Sequence, residues 1–467
     1  MELAVEGRLA IYFDNDFDLK FVKNPLLIIE EDRIVEIGTY DKIKHNLSGH
    51  DVIGDKNHLI IPGLINSHTH LAMTVFRGIV DDIPLKTWLE ENIWPLEAKL
   101  TEEDVYQGAL LGSMESILSG VTTVNSMYWY PEFEAKAISD VGLKGIIAAP
   151  VITGITTLED AIDIVKEHHN SLEETIRVSL ALHSPYTVSI SDFKAAHKFM
   201  KEYNSENPEN PEVLIHTHLA ESETEIKDSK KFNEKYEIPF PSVKTPVQFL
   251  DEIGILDENL MAAHCIHVNN KDINLLKDKR TKISLNPLSN AKLGNHMPPI
   301  PEIIKSTRLV GLGTDGPSSN NTLDLFDTIR FLAVYYKGLH HNPTLIKAEE
   351  AFRLATIGGA KAIGWEGIGT LEKNSFADIV TINLKKPHLT PNFDDKYLLN
   401  HFAYSMKGND VTNVISNGKI ILENSTLLNR DIDITLDEIE KITHRLVSMK
   451  SENDSDSALL FQSKLHK

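Results

Sequence analysis

The chain has 467 residues, 41% of them hydrophobic and 25% charged, the balance of a globular protein able to bury a sizeable core. Its 47 Lys and Arg against 68 Asp and Glu leave a net charge of −21; such a surface repels phosphate backbones and excludes nucleic acid as an expected partner. A single cysteine, Cys265, allows no internal disulfide, the first residues show no basic stretch leading into an apolar one, and apolar runs such as 26–29 are too short to cross a membrane, so a cytoplasmic, non-membrane protein is expected.

In chain order, residues 1 to about 60 read as short strands. Residues 26–38 form two β-rich runs around the charged turn Glu30-Glu31-Asp32, a hairpin signal. A long middle then alternates apolar or β-branched runs near 59–66, 121–125, 145–151, 178–183, 213–219, 260–268, 282–286 and 308–313 with helix-like stretches. Thr101-Glu102-Glu103-Asp104 and Thr157-Leu158-Glu159-Asp160 have the capping residue and acidic first turn of helix starts. Residues 323–336 and 348–362 are patterned and long enough for helices. Residues 377–382 and 411–422, with Asn417-Gly418 as a turn, return to strands, and a helix is expected near 436–449, followed by a fraying tail. Eight strands alternating with helices suggest a (β/α)8 barrel, although an open doubly wound sheet gives the same alternation. The expected division is a small composite β-sandwich domain from 1–60 and 373–430, a barrel at 61–372, and a C-terminal helix and tail at 431–467.

Polar residues follow five of the eight runs. His68 and His70 stand at i and i+2, so on a strand they face one side and can converge on one ion; alone they could be two surface histidines. His216-Thr217-His218 follows 213–215, with Glu221 three residues beyond His218, where the chain turns toward a helix. His216 is expected to pack deeper in the barrel as a hydrogen-bonded histidine. In His264-Cys265-Ile266-His267, His264 comes directly off the apolar run and is preferred for the site. Asp315 and His183 end two further strands. The C-terminal strand ends of a barrel open onto one face, where active sites lie. Three histidines and a carboxylate suit zinc or ferrous iron, with a position left for water whose pKa the cation lowers toward ~7.

These motifs resemble the amidohydrolase superfamily, its first-strand signature in Pro62-Gly63-Leu64-Ile65-Asn66-Ser67-His68-Thr69-His70 and the other four segments in order, over roughly residues 1–425. The resemblance implies one divalent metal per subunit, most readily Zn2+, with Fe2+ the other candidate, held by His68, His70, His218 and Asp315. It further implies that His264 holds the attacking water or the leaving group, and that Glu221 shuttles the proton. His183 stands where binuclear members carry a carboxylated lysine, which implies a mononuclear site.

Phe76-Arg77-Gly78, Trp88-Leu89, Trp94-Pro95-Leu96-Glu97, Ser289-Asn290-Ala291-Lys292-Leu293-Gly294 and Asp315-Gly316-Pro317-Ser318-Ser319-Asn320-Asn321 are similar to the branch containing 5-methylthioadenosine/S-adenosylhomocysteine deaminases and triazine hydrolases. In that branch a residue like Glu97 binds ribose hydroxyls, one like Trp88 lines the pocket, one like His183 contacts the purine and one like Ser319 touches substrate. Core packing for Trp88 and a solvated helix position for Glu97 are the plain alternatives. Arginines that hold the amino-acid carboxylate of S-adenosylhomocysteine can follow the third strand in that branch. Residues 146–160 contain none, which favours methylthioadenosine, 5′-deoxyadenosine or adenosine. The implied reaction is hydrolytic deamination at C6, and the partners expected are a small nucleoside and further copies of the chain in a homo-oligomer. A triazine-type chlorohydrolase or a guanine deaminase is the alternative chemistry, and a non-catalytic scaffold of the same fold the remote one.

Overall fold

The computed structural model describes residues 2–47 and 49–452, with side chains to 449. Eight parallel strands form its central sheet in strict sequence order: β1 Leu64–Thr69, β2 Val121–Met127, β3 Lys144–Val151, β4 Ile176–Leu182, β5 Ile215–Leu219, β6 Leu260–His264, β7 Lys282–Leu285 and β8 Val310–Leu312. β1, β2, β5 and β6 are buried along their whole length, as expected of strands covered on both faces. Just past β8, the Asp315 N–H donates to the His68 carbonyl at 3.0 Å and Thr69 pairs with Asp315, which closes the barrel. Gly313 makes that closure possible, because a Cβ there would meet Asn286 Oδ1 at 2.3 Å and the His68 carbonyl oxygen at 2.6 Å.

Helices pack outside the strands and start where the caps lie. Helix Glu102–Leu118 begins at Thr101, whose hydroxyl accepts the Asp104 N–H at 3.3 Å while the Asp104 carboxylate accepts the Thr101 N–H at 2.8 Å, satisfying two donors that a helix start leaves open. Thr157 caps Leu158–His168 on one side only, its hydroxyl accepting the Asp160 N–H at 3.1 Å. The stretch 348–362 is not one helix. It breaks at Thr356 (φ −124, ψ −106) into Ala348–Ala355 and Ile357–Ala362, because Gly359 must lie against Ile65 of β1 and Gly358 against the Val310 carbonyl. The last helix, Ile432–Glu452, covers the expected 436–449 and lies on helix Glu102–Leu118; the tail expected to fray beyond it falls outside the described residues.

Two further sheets flank the barrel. One has Leu3–Glu6, Pro25–Glu30, Arg33–Thr39 and Asp51–Gly54, including the expected hairpin. The other joins both chain ends: Leu9–Phe13, Leu19–Lys23 and His58–Pro62 with Ile379–Asn383, Val411–Ser416, Lys419–Glu423 and Thr426–Leu427. Leu3, Val5, Leu27 and Ile29 of the first meet Ala10, Ile60, Ile379 and Ile415 of the second in one apolar cluster. The run 59–66 therefore serves two sheets. Its first part pairs with Ile379–Asn383, and after Gly63 it becomes β1. At the barrel's opposite end from His68 and His70, the Lys144 ammonium and the Asp378 carboxylate, both fully buried, meet at 2.6 Å.

Candidate active site

The C-terminal ends of the barrel strands surround a cavity that opens to solvent, on the face where such barrels carry their active sites. His70, His183, His218, Glu221, His264, Asp315 and Ser319 line it from the barrel, and Trp88 and Glu97 from an arm between β1 and β2. His68, fully buried, lies behind them, its ring centre 4.9 Å from that of His70, 5.1 Å from His218 and 5.4 Å from His264. The residues expected from the sequence to hold metal, act in the chemistry or bind substrate thus meet at one place.

Donor atoms of His68, His70 and Asp315 lie within 4.8 Å of one another, as do those of His68, His218 and His264. His70 Nε2 stands 3.2 Å and His68 Nε2 3.6 Å from Asp315 Oδ1. The far nitrogens are committed elsewhere. His70 Nδ1–H donates to the Met127 carbonyl, and His218 Nδ1–H to the His183 carbonyl at 2.8 Å. A carbonyl only accepts, so the proton is fixed on Nδ1 and the Nε2 lone pair is left facing the cluster. His264 Nδ1–H donates to Asn290 Oδ1 at 3.0 Å, and His68 Nδ1 shares a 2.9 Å hydrogen bond with His216 Nε2. His68 Nε2 is buried with no hydrogen-bond partner. An orphaned imidazole nitrogen amid this donor set fits a divalent cation of the zinc class.

The charges follow from burial and neighbours. Burial pushes His68 down to about 3 and His183 down to about 4, and it pulls His218 and His216 well below the ordinary histidine range with help from adjacent imidazoles. These rings are neutral, as ligation requires. Burial alone would raise Asp315, but the His68 and His70 nitrogens opposite hold it well below the usual carboxylate range. Ser289 Oγ and Ser319 Oγ donate to its other oxygen at 2.6 and 3.0 Å. For His70, burial is outweighed by the facing carboxylate and the pKa rises. Burial raises Glu221, countered in part by His264, whose Nε2 stands 3.9 Å from Glu221 Oε1. It also raises Glu97, against the Tyr128 and Trp129 donors beside it.

Backbone shape aims several of these groups. Ala220, His264 and Asp315 adopt φ of 54, 75 and 64, the left-handed region that non-glycine residues rarely occupy, so each chain turns sharply as it leaves its strand. Glu221 stands in the loop ahead of helix Glu225–Lys235 rather than on that helix. His216 is buried below the cluster and bonded to His68. Cys265 is buried outside the cavity lining, and His267 faces His296.

Sequence reasoning left several contributors without a role. Ser289 and Asn290, which brace Asp315 and His264, were legible only as part of a family-like segment. Tyr128, Trp129 and Tyr186 line the cavity, and the aromatic run Tyr128-Trp129-Tyr130 directly after β2 was the available signal. The Met127 and His183 carbonyls have no side-chain signature at all.

The Amidohydrolase family pattern matches residues 59–421. The chain belongs to the amidohydrolase family, a metal-dependent family, and is a hydrolase acting on C–N bonds. Within it, the chain is 37% identical over 458 residues to the 5-methylthioadenosine/S-adenosylhomocysteine deaminase of Dictyoglomus turgidum, a match spanning 96% of this chain and 100% of the relative. It is 38% identical over 426 residues to the 5′-deoxyadenosine deaminase of Methanocaldococcus jannaschii, spanning 89% and 95%. The fold superimposes on a zinc-bound adenosine deaminase of Xanthomonas campestris with a TM-score of 0.85 at 25% identity, covering 96% of this chain and 99% of that one. An atrazine chlorohydrolase of Arthrobacter aurescens shares the fold at TM-score 0.82 and 21% identity, covering 94% and 100%. No helix among the described residues is long and apolar enough to cross a membrane.

Proposed function

We propose that the chain hydrolytically deaminates an adenosine-type nucleoside carrying a neutral 5′ group, giving the 6-oxo nucleoside and ammonia. The observation that carries this reading is the facing pair Glu221 and His264, 3.9 Å apart on the rim of the histidine–aspartate cluster, with Glu97 in the wall of the same cavity. The names of the similar deaminases support it. His68, His70, His218 and Asp315 would hold the cation, which we take to be zinc from the nitrogen-rich donor set and the zinc-bound neighbour. When bound, it supplies the Lewis acidity that makes water a nucleophile near neutral pH.

The chain's own groups do the rest. Asp315, kept charged by its histidine neighbours and braced by two serine hydroxyls, accepts a hydrogen bond from the attacking water. His264 orients that water from the other side. Glu221 takes one water proton and delivers it to N1 as the C6–O bond forms; it then relays the second, from the new C6 hydroxyl, to the exocyclic amine, so that C6–N cleavage expels ammonia and the water oxygen stays as the 6-oxo group. A carboxylate that both accepts and donates works best with a raised pKa, which burial gives Glu221. His183 and Ser319 contact the purine side, Trp88 covers it, and Glu97 accepts from ribose hydroxyls.

Pro150 near the end of β3 and Ile152 and Ile155 beyond it line one wall, and none of the described residues lining the cavity is lysine or arginine. A substrate carboxylate would stand there without a partner, hence the neutral 5′ group. We further take 61–372 as the catalytic unit, working in a homo-oligomer.

The test is a panel read by ammonia release: methylthioadenosine, 5′-deoxyadenosine, adenosine, S-adenosylhomocysteine, guanine and a chlorotriazine, with chloride followed for the last. The first three should turn over, and S-adenosylhomocysteine should show at least a tenfold lower kcat/KM. Glu221→Gln should retain zinc and lose about 10²–10⁴-fold in kcat. Full activity in that variant, or turnover confined to guanine or the triazine, refutes the reading.

A further inference from the structure

Glu225 is the first residue of helix Glu225–Lys235 and is fully buried, and it reaches the acid–base machinery only through the backbone. Its two carboxylate oxygens are spent on two consecutive backbone donors. Oε1 accepts the Ala220 N–H and Oε2 accepts the Glu221 N–H, each at 2.8 Å. Ala220 holds φ 54, a conformation an alanine leaves unless its surroundings impose it. The same Ala220 peptide reaches the neighbouring strand end, where its carbonyl accepts the Ile266 N–H at 3.0 Å and the His267 N–H at 2.8 Å, just after His264 with its own φ of 75.

We infer that Glu225 is a positioning residue for the Glu221–His264 pair: its carboxylate clamps the Ala220–Glu221 backbone, which sets the Glu221 side chain directly and steadies the turn carrying His264 through the Ala220 carbonyl. The inference rests on the acid–base role proposed above for Glu221. A carboxylate is what the geometry asks for. Two parallel N–H donors need two acceptors at carboxylate spacing, and a glutamine would turn its own NH2 against one of them. An aspartate, one methylene shorter, cannot reach both. Loss of the clamp displaces the acid–base carboxylate without touching the substrate walls. A displacement of about 1 Å at a reacting group costs on the order of 10²-fold in rate.

The experiment compares zinc-loaded full-length enzyme with Glu225→Gln, Glu225→Asp and Glu221→Gln. It measures kcat and KM for methylthioadenosine, zinc content, and the stoichiometry of product binding by calorimetry. Glu225→Gln should lower kcat by about 10²-fold with KM within about twofold, one zinc per chain and one product bound per chain; Glu225→Asp should show the same split to a smaller degree. If kcat holds in both Glu225 variants while Glu221→Gln is inactive, the positioning role is overturned. If zinc content and binding stoichiometry fall together with kcat in both Glu225 variants, Glu225 only supports the fold and the inference is again overturned. If Glu221→Gln itself turns over normally, the proposed acid–base role falls instead.

Discussion

Lys144 and Asp378 offer a stability test well away from the chemistry. Lys144 opens β3 at the end of the barrel remote from the cavity, and Asp378 directly precedes the strand Ile379–Asn383 contributed by the far end of the chain. Their side chains are 0% and 1% exposed and meet at 2.6 Å; Asp378 Oδ1 also accepts the Asn417 N–H at 2.8 Å, and the Lys144 ammonium lies 4.8 Å from the Phe376 ring centre. Lys144→Met removes the cation and leaves a buried carboxylate with one backbone donor. Stranding one partner of a buried pair costs about 3–5 kcal/mol. Unfolding entropy of about 2.1 cal/mol/K per residue over 467 residues comes to about 1 kcal/mol/K, so Tm should drop by about 3–5 °C in a calorimetric scan of the zinc-loaded protein. Combining Lys144→Met with Asp378→Asn removes the stranded charge while keeping an acceptor for the Asn417 N–H, and should recover at least half of the loss. Because the pair is remote from the cavity, kcat should be unchanged in both variants. A single variant melting within about 1 °C of the parent, or a double variant melting as low as the single, would refute the reasoning.

Two further outcomes follow from side-chain partners. Asn290→Ala takes away the acceptor that fixes the His264 proton on Nδ1; kcat/KM should fall about 10- to 100-fold, and Asn290→Asp, which keeps an acceptor, should retain most of it. Steady-state kinetics on samples of matched zinc content decide this, and an alanine variant keeping more than half its activity contradicts it. Asp257 lies partly buried between His197 and Lys201, each 2.8 Å away, and although burial opposes them these partners bring its pKa down to about 2 from 3.8. A carboxyl with a depressed folded pKa contributes stability that is present above pH 4 and lost as pH falls through about 2. Asp257→Asn should therefore cost on the order of 1 kcal/mol at pH 7, after discounting for solvent screening. Urea unfolding should show that gap narrowing between pH 4 and pH 2; a gap independent of pH would count against the assignment.

The parts of the site legible in the sequence are those whose side chains both carry the chemistry and terminate an apolar run. His68 and His70 share a strand face, His218 is the penultimate residue of β5, His264 ends β6, and Asp315 follows β8 through the compact Gly313-Thr314. Alternation along 59–313 gave the strand order because each barrel strand is buried on both faces and so reads as a short apolar run. What stayed illegible depends on contacts between distant segments. Nothing in Asn290 alone announces a partner for His264, 26 residues earlier. Glu225 reads as an ordinary acidic residue in a helix first turn, and its grip on Ala220 appears only once the loop is folded. The break at Thr356 is marked locally only by Gly358-Gly359, and why it falls there appears only from the close approach of those glycines to β8 and β1. The boundary between His58–Pro62 and β1 falls at Pro62-Gly63, within the stretch 59–66 that reads as a single run.

That boundary is a single residue. Gly63 donates its N–H to the Asp378 carbonyl at 2.9 Å, and a Cβ there would strike Thr122 Oγ1 at 2.0 Å. The strand bearing His68 and His70 is thus the cantilevered end of a beam whose root, His58–Pro62, is bolted on one side to Ile379–Asn383 and on the other to Leu9–Phe13. Two of the histidines facing the cation cluster are therefore rigidly referenced to the two ends of the chain, and they shift only if the outer sheet shears with them. The histidine side of the cavity is therefore the part of the site tied to both ends of the chain.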